Sequence, residues 1–195
     1  AAGSGKLRPP HFSPGVADLY HTMEGEIRVG SGVHSYDWVD DWAGTPQSSE
    51  WAHHGTVVTE TGQVMTCDPA HATILILDQE GNVQSSWESG LTEAHGMTLV
   101  MEEEAEFLWI ADNGRKRVPE LGYEYTDEYK GQVAKFTLDG TRVMSLEQPD
   151  IPIYGDMAYS PTWVAVNDER SGGNGDIWLA DGYGSNRVHR YSKAG

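Results

Sequence analysis

The sequence is short of cysteine, of positive charge and of long apolar runs, and each shortage excludes something. A single cysteine, Cys67, rules out a disulfide within the chain. Thirteen basic residues stand against thirty acidic ones, a formal net charge of −17. A field of that sign repels phosphate backbones and anionic lipid, which argues against nucleic-acid and membrane partners. It also serves simply to keep a surface hydrated. No apolar run approaches the roughly 18 residues of a membrane-spanning helix. The opening residues, Ala1-Ala2-Gly3-Ser4-Gly5, carry no initiator Met and no signal-peptide apolar stretch. We therefore expect a chain that was processed or cut from a longer one.

Glycine, by contrast, is plentiful at 23 residues, with seven Trp and nine Tyr. Short apolar runs recur between Gly and Asp signals, the pattern of short strands joined by tight turns. Three segments can be laid over one another. The first contains His54-Gly55-Thr56-Val57-Val58, Val64-Met65-Thr66-Cys67-Asp68, Thr73-Ile74-Leu75-Ile76-Leu77 and Gly81 followed by Val83 to Trp87. The second contains His95-Gly96-Met97-Thr98, Phe107-Leu108-Trp109-Ile110-Ala111-Asp112, Gln132-Val133-Ala134-Lys135-Phe136 and Gly140 followed by Arg142 to Leu146. The third contains Pro161-Thr162-Trp163-Val164, Asp176-Ile177-Trp178-Leu179-Ala180-Asp181 and Arg187-Val188-His189-Arg190-Tyr191, and reaches Gly195.

Repeats of this length with four strands each predict an all-β propeller. The expected blades cover about residues 53–92, 93–150 and 158–195, the last lacking its outer strand, and residues 118–130 form an insertion in the second. Residues 1–52 are expected to be an arm, with a strand candidate at residues 26–29. Three blades cannot close a ring, so the rest is expected from a second polypeptide, a second copy or the removed remainder of a longer chain.

Some positions carry candidate chemistry. His54 and His95 open equivalent innermost strands, where imidazoles can face the channel and ligate a metal; the alternative is a channel histidine bonded to water or backbone. His71 is expected at a surface or rim. Asp68, Asp112 and Asp181 share one repeat position, the end of the second strand, where a carboxylate accepts hydrogen bonds from turn amides. Trp87, Trp109, Trp163 and Trp178 are expected between blades, and residues 102–106 form a solvated tip.

The stretch Asp176 to Val188 resembles an NHL repeat. Its Asp181-Gly182-Tyr183 and Arg187, with Ala94-His95-Gly96-Met97 and the spacing of Tyr36, Trp42 and Pro46, resembles the peptidyl-α-hydroxyglycine α-amidating lyases. The resemblance covers roughly residues 33–195, the first half of such a protein. It implies a six-bladed ring, zinc near the axis and calcium as a structural ion, a small peptide-like substrate, and an extracellular or periplasmic location. The implied reaction cleaves an N–C bond and releases glyoxylate. By the same resemblance His95 is a metal ligand, the Met97 carbonyl faces calcium and Tyr183 is catalytic. The family's substrate-contacting arginine has no counterpart: Pro69 stands there, with Arg115 or Lys116 as candidate replacements. Two other readings remain open, a non-catalytic NHL propeller that binds a peptide, glycan or protein, and a structural subunit of a larger assembly.

Overall fold

The structure, a computed structural model, describes residues 27–46, 54–68, 71–117, 122, 124, 125 and 131–195. The chain divides into two compact units, Ala1–Asp41 and Trp42–Gly195. In the first, β1 (Arg28–Ser31) and β2 (His34–Asp37) pair antiparallel as a hairpin. Gly32 turns it with a φ of +60°, and the Arg28 guanidinium reaches Asp37 at 3.0 Å. The strand expected at residues 26–29 thus sits two residues later. Residues 1–26 and 47–52 of the expected arm, Pro69, and most of the insertion lie outside the described residues.

The second unit holds three antiparallel sheets, each a meander of strands consecutive in sequence. The first comprises β3 (Val57–Val58), β4 (Val64–Cys67), β5 (Thr73–Leu77) and β6 (Val83–Glu88). The second comprises β7 (Ala94–Glu102), β8 (Ala105–Asp112), β9 (Gln132–Thr137) and β10 (Arg142–Leu146). The third comprises β11 (Trp163–Val166), β12 (Ile177–Asp181) and β13 (Arg187–Tyr191). With side chains alternating across each strand, both faces of the middle sheet are apolar. Met65, Cys67, Ile74 and Ile76 of the first sheet meet Met97, Leu108, Ile110 and Phe136 of the second in one core. Trp109, Val133 and Leu146 on the second sheet's other face meet Tyr159, Val164, Ile177 and Leu179 in another. Face-to-face stacking of meanders is the β-propeller arrangement that the repeats predict.

Glycines set the spacing of the stack. On the inner strands, a Cβ at Gly55 would come within 2.8 Å of the Met97 backbone nitrogen, and one at Gly96 within 2.5 Å of the Thr162 carbonyl. On the outer strands, a bulky side chain seats on the glycine turn of the next sheet. Trp87 blocks the space beside Gly140 and donates its indole N–H to the Leu138 carbonyl at 3.0 Å. Trp42 does the same at Gly81, donating to Gln79 at 3.2 Å, and Leu146 lies 3.2 Å from the Cβ position of Gly195. The three glycines have φ of +86°, +94° and +94°, a conformation that side chains resist. Trp42 therefore occupies the place of an outer-strand residue of a preceding sheet.

The strand register corrects the alignment of the third unit by one residue. Gly96 pairs with Ala111 as Trp163 pairs with Ala180, so Trp163, not Thr162, holds the inner glycine position. Two of the tryptophans expected between blades are exposed in this chain. Met65, Trp109 and Trp178 share one repeat position and are 0%, 1% and 44% exposed, and Trp163 is 49% exposed. Trp163 and Trp178 lie on the face of the third sheet against which no other described sheet packs. The expected solvated tip is partly tied down: Glu102 pairs with Lys135 at 2.5 Å, and Glu106 accepts the Glu60 amide at 3.1 Å.

Gly96→Ala tests the inner-strand spacing. The added methyl has backbone on one side and the Trp163 ring on the other, so the substitution should lower stability by about 2 kcal/mol, as overpacking does. Urea denaturation measures this, and an unchanged midpoint would contradict the packing described.

Candidate functional site

The inner strands β3, β7 and β11 start at one end of the stack, and β4, β8 and β12 finish there. That end collects the histidines that open the repeats and the aspartates that close the second strands. The contact that joins adjacent inner strands also orients the imidazoles. His95 Nδ1 lies 2.9 Å from the Thr162 carbonyl of the next sheet. A carbonyl accepts only, so Nδ1 carries the proton and Nε2 presents a lone pair. Tyr183 Oη lies 3.2 Å from that Nε2, and the phenol is the donor. The two rings meet edge to face, centroids 5.2 Å apart at 85°. Tyr183 is half exposed, so the pair faces solvent.

His54 repeats the arrangement one sheet earlier, its Nδ1 donating to the Ala94 carbonyl. Its Nε2 is buried without a partner among the described residues. Burial dominates its environment and lowers its pKa below 6.5, with the charge of Lys116 acting the same way. His54 is thus a neutral imidazole with an unused lone pair.

The aspartates shape the loops that carry these groups. Asp181 is fully buried and accepts the amides of Ser160 at 2.6 Å and Ser185 at 2.7 Å, and the Tyr154 hydroxyl at 2.8 Å. Burial pushes its carboxyl upward, but the hydrogen bonds from Ser185, Ser160 and Tyr154 outweigh it and hold the pKa below the ordinary value. The loop from Asp181 to Ser185 is thereby wrapped around a carboxylate, with Tyr183 at its crest. Asp112 plays the same part for the amides of Thr92, Glu93 and Gly114, each at 2.9 Å, although burial wins there and raises its pKa. The turn-capping role expected from the repeat holds for Asp112 and Asp181.

Sequence reasoning missed Glu93. It is buried and pairs with buried Lys116 at 3.2 Å, just before the strand that carries His95. Its position next to Ala94-His95 was the available signal, but nothing local identifies its partner 23 residues away. Burial, then the Glu93 charge, lifts the nearby Cys67 thiol to about 12, which leaves it protonated and inert. Arg115 is half-buried; its guanidinium lies 4.4 Å from the Tyr125 ring centroid, and that of Arg117 4.5 Å from the same ring.

Met97 is buried between the first two sheets, its backbone in the β7–β8 ladder opposite Ile110. His71 is exposed in the turn entering β5 and makes no hydrogen bond or ion pair among the described residues. His95 and Tyr183 are brought together. Among the described residues, no group of three or more His, Cys, Asp and Glu side chains is placed to hold a metal ion. His95 Nε2 and His54 Nε2 are the imidazole atoms suited to ligation, and neither completes a site.

His54 gives the chain a pH dependence of known sign. Its folded pKa is lowered, so the unfolded chain binds the proton more readily. The stability it contributes is present above about 6.5, the unfolded value, and is lost as pH falls towards the folded one. Thermal unfolding between about pH 7 and pH 5 should show this loss, and His54→Phe should flatten it; an equal slope in both proteins would contradict the assignment.

No protein-family model and no curated protein sequence matches the chain. Among solved structures it is similar to selenomethionine-substituted virginiamycin B lyase from Staphylococcus aureus, at 12% identity and a TM-score of 0.38, covering 74% of this chain and 53% of that one. A catalytically inactive variant of that enzyme with quinupristin matches at 11% identity and a TM-score of 0.35, covering 72% and 55%. A streptogramin B lyase matches at 16% and 0.35, covering 76% and 57%. The chain spans about half the length of these structures. Similarity this low assigns no activity, and the propeller fold rests on the chain's own sheets.

Proposed function

We propose that the His95–Tyr183 end of the propeller is the site of a lyase that opens an N–C bond in a small peptide-like substrate, as a diverged relative of the α-amidating lyases. The observation that carries this is the tautomer: Thr162 holds the Nδ1 proton of His95, which leaves Nε2 to accept the Tyr183 hydroxyl at 3.2 Å. In an α-hydroxyglycine substrate the hydroxyl proton passes to Tyr183 as the phenol proton passes to His95. The oxygen's electron pair then forms the carbonyl of glyoxylate. The C–N bond breaks, and the departing amide nitrogen takes up a proton. General acid–base transfer of this kind contributes about 10²–10⁴-fold.

A zinc ion, where the protein binds one, would use His95 Nε2 in place of the Tyr183 hydrogen bond and would supply polarisation of the substrate oxygen, so zinc ligation and proton transfer to His95 are alternatives. By the resemblance, calcium would face the Met97 carbonyl. The substrate arginine of the resemblance is replaced by Pro69, and the cationic groups at this end of the sheets include, among the described residues, Arg115, Lys116, Arg117 and Arg187. The activity is therefore expected to be slow, because a fixed guanidinium next to the developing charge is lost.

The test is glyoxylate release from a peptidyl-α-hydroxyglycine, with and without a chelator and added zinc. Slow release that falls about 100-fold or more in Tyr183→Phe is expected. No release under any of these conditions would overturn the reading.

The open face of the third sheet bears on the working assembly. Trp163, Trp178 and Val188 are exposed there, at positions whose counterparts on the first two sheets are covered by the next sheet. We infer that a second polypeptide or second copy covers this face and contributes to a ring of about six blades. Light scattering of the chain should show a species near twice 21.4 kDa. A stable folded species at 21.4 kDa would refute it.

A further inference from the structure

At the far end of the strands from His95, the two sheet-to-sheet contacts differ. Between the first and second sheets, the Glu106 carboxylate closes the gap by accepting the Glu60 amide through both oxygens, at 3.2 and 3.1 Å. Glu106 stands six residues before Asp112; six residues before Asp181 stands Gly175. With no side chain there, the contact between the second and third sheets stays open. It forms a crevice of about 840 Å³ bounded by the β7–β8 hairpin on one side and Glu169, Gly175 and Lys193 on the other.

The crevice has three chemical features. Its walls include Phe107, Trp109 and Ile177. Its rim carries the carboxylates of Glu102, Glu103, Glu104 and Glu169 against the ammonium of Lys193. Glu102 and Glu169 are paired with Lys135 and Lys193, whereas Glu103 and Glu104 are exposed and have no ion-pair partner among the described residues. Finally, Trp109 is 1% exposed and its indole N–H is buried without an acceptor among the described residues, an expensive omission inside a packed sheet stack. The chain itself shows what this chemistry holds. The Lys135 ammonium lies 4.2 Å from the Phe107 ring centroid and 5.6 Å from that of Trp109, with Glu102 as its counter-ion. A cation over an aromatic face beside a carboxylate is a favourable arrangement, strengthened where water is excluded.

We propose that this crevice binds a small organic cation with an apolar body and an oxygen acceptor. The ammonium pairs with Glu103 and Glu104, the apolar part lies against Phe107 and Trp109, and the oxygen supplies the acceptor that the Trp109 indole lacks. The Trp109 N–H is closed to solvent in the structure, so binding turns that ring towards the ligand. This site is independent of His95 and Tyr183, and its occupation does not depend on lyase activity.

The probes are phenylalanine methyl ester, which has all three features, and its neutral N-acetyl derivative. Titration of the unaltered chain is followed by heteronuclear NMR at the Trp109 indole N–H, assigned with Trp109→Phe. A saturable shift with the cationic ester is expected, with the neutral ester about tenfold weaker or more. The Glu103→Gln/Glu104→Gln chain should weaken the cationic ester comparably. An unmoved Trp109 signal, equal binding of the two esters, or undiminished binding by the double variant would each overturn the proposal. The comparison of the two esters needs no variant, so it decides the matter even if the substituted chain fails to fold.

Discussion

The close approach of one sheet to the next is the constraint on which everything else in this chain depends. A propeller blade has two apolar faces and is stable only when both are covered. Coverage requires the backbones to approach closely near the axis, where Gly55 and Gly96 leave no room for a Cβ. At the outer edge the sheets splay, and the gap is filled by a knob seated on a glycine turn. Trp42 on Gly81, Trp87 on Gly140 and Leu146 on Gly195 are three versions of that joint. The first two add an indole hydrogen bond to a turn carbonyl.

The functional end follows from the same approach. Because the inner strands lie so close, the carbonyls of Ala94 and Thr162 come within reach of the preceding sheet's imidazole. Each histidine spends Nδ1 on the packing contact and turns Nε2 away from it. The chemistry available to His95 is thus set by a bond that holds two sheets together. Asp112 and Asp181 repeat the principle at the loops, where a buried carboxylate gathers amides and fixes the turn that follows. Tyr183 reaches His95 because its loop is wound around Asp181.

Departures from the repeat are where the sheets acquire individual roles. Gly175 in the place of Glu106 opens a crevice that the preceding contact closes. Trp163 in the place of an inner glycine puts an indole where the two earlier contacts admit only backbone. The buried Glu93–Lys116 pair has no counterpart in the repeat pattern; it holds two charges close to Cys67 and His54 in an otherwise apolar contact.

The all-β class, the blade repeat and the aspartate positions were legible in the sequence, because strand alternation and turn chemistry are local and recur in each unit. The His-Gly pairs were legible too, since glycine before an inner strand signals close backbone approach. Other features were decided between strands distant in sequence. Leu146 and Gly195 meet only because outer strands cross the neighbouring sheet. Glu93 finds Lys116, and His95 finds Thr162 and Tyr183, across sheets whose order follows the chain but whose contacts do not. The register of the third unit needed the pairing of Trp163 with Ala180, because residues near Thr162 align equally well one position either way by type alone. Exposure of Trp163 and Trp178 was likewise undecidable locally: the same tryptophan pattern is core or surface according to whether another sheet lies against it.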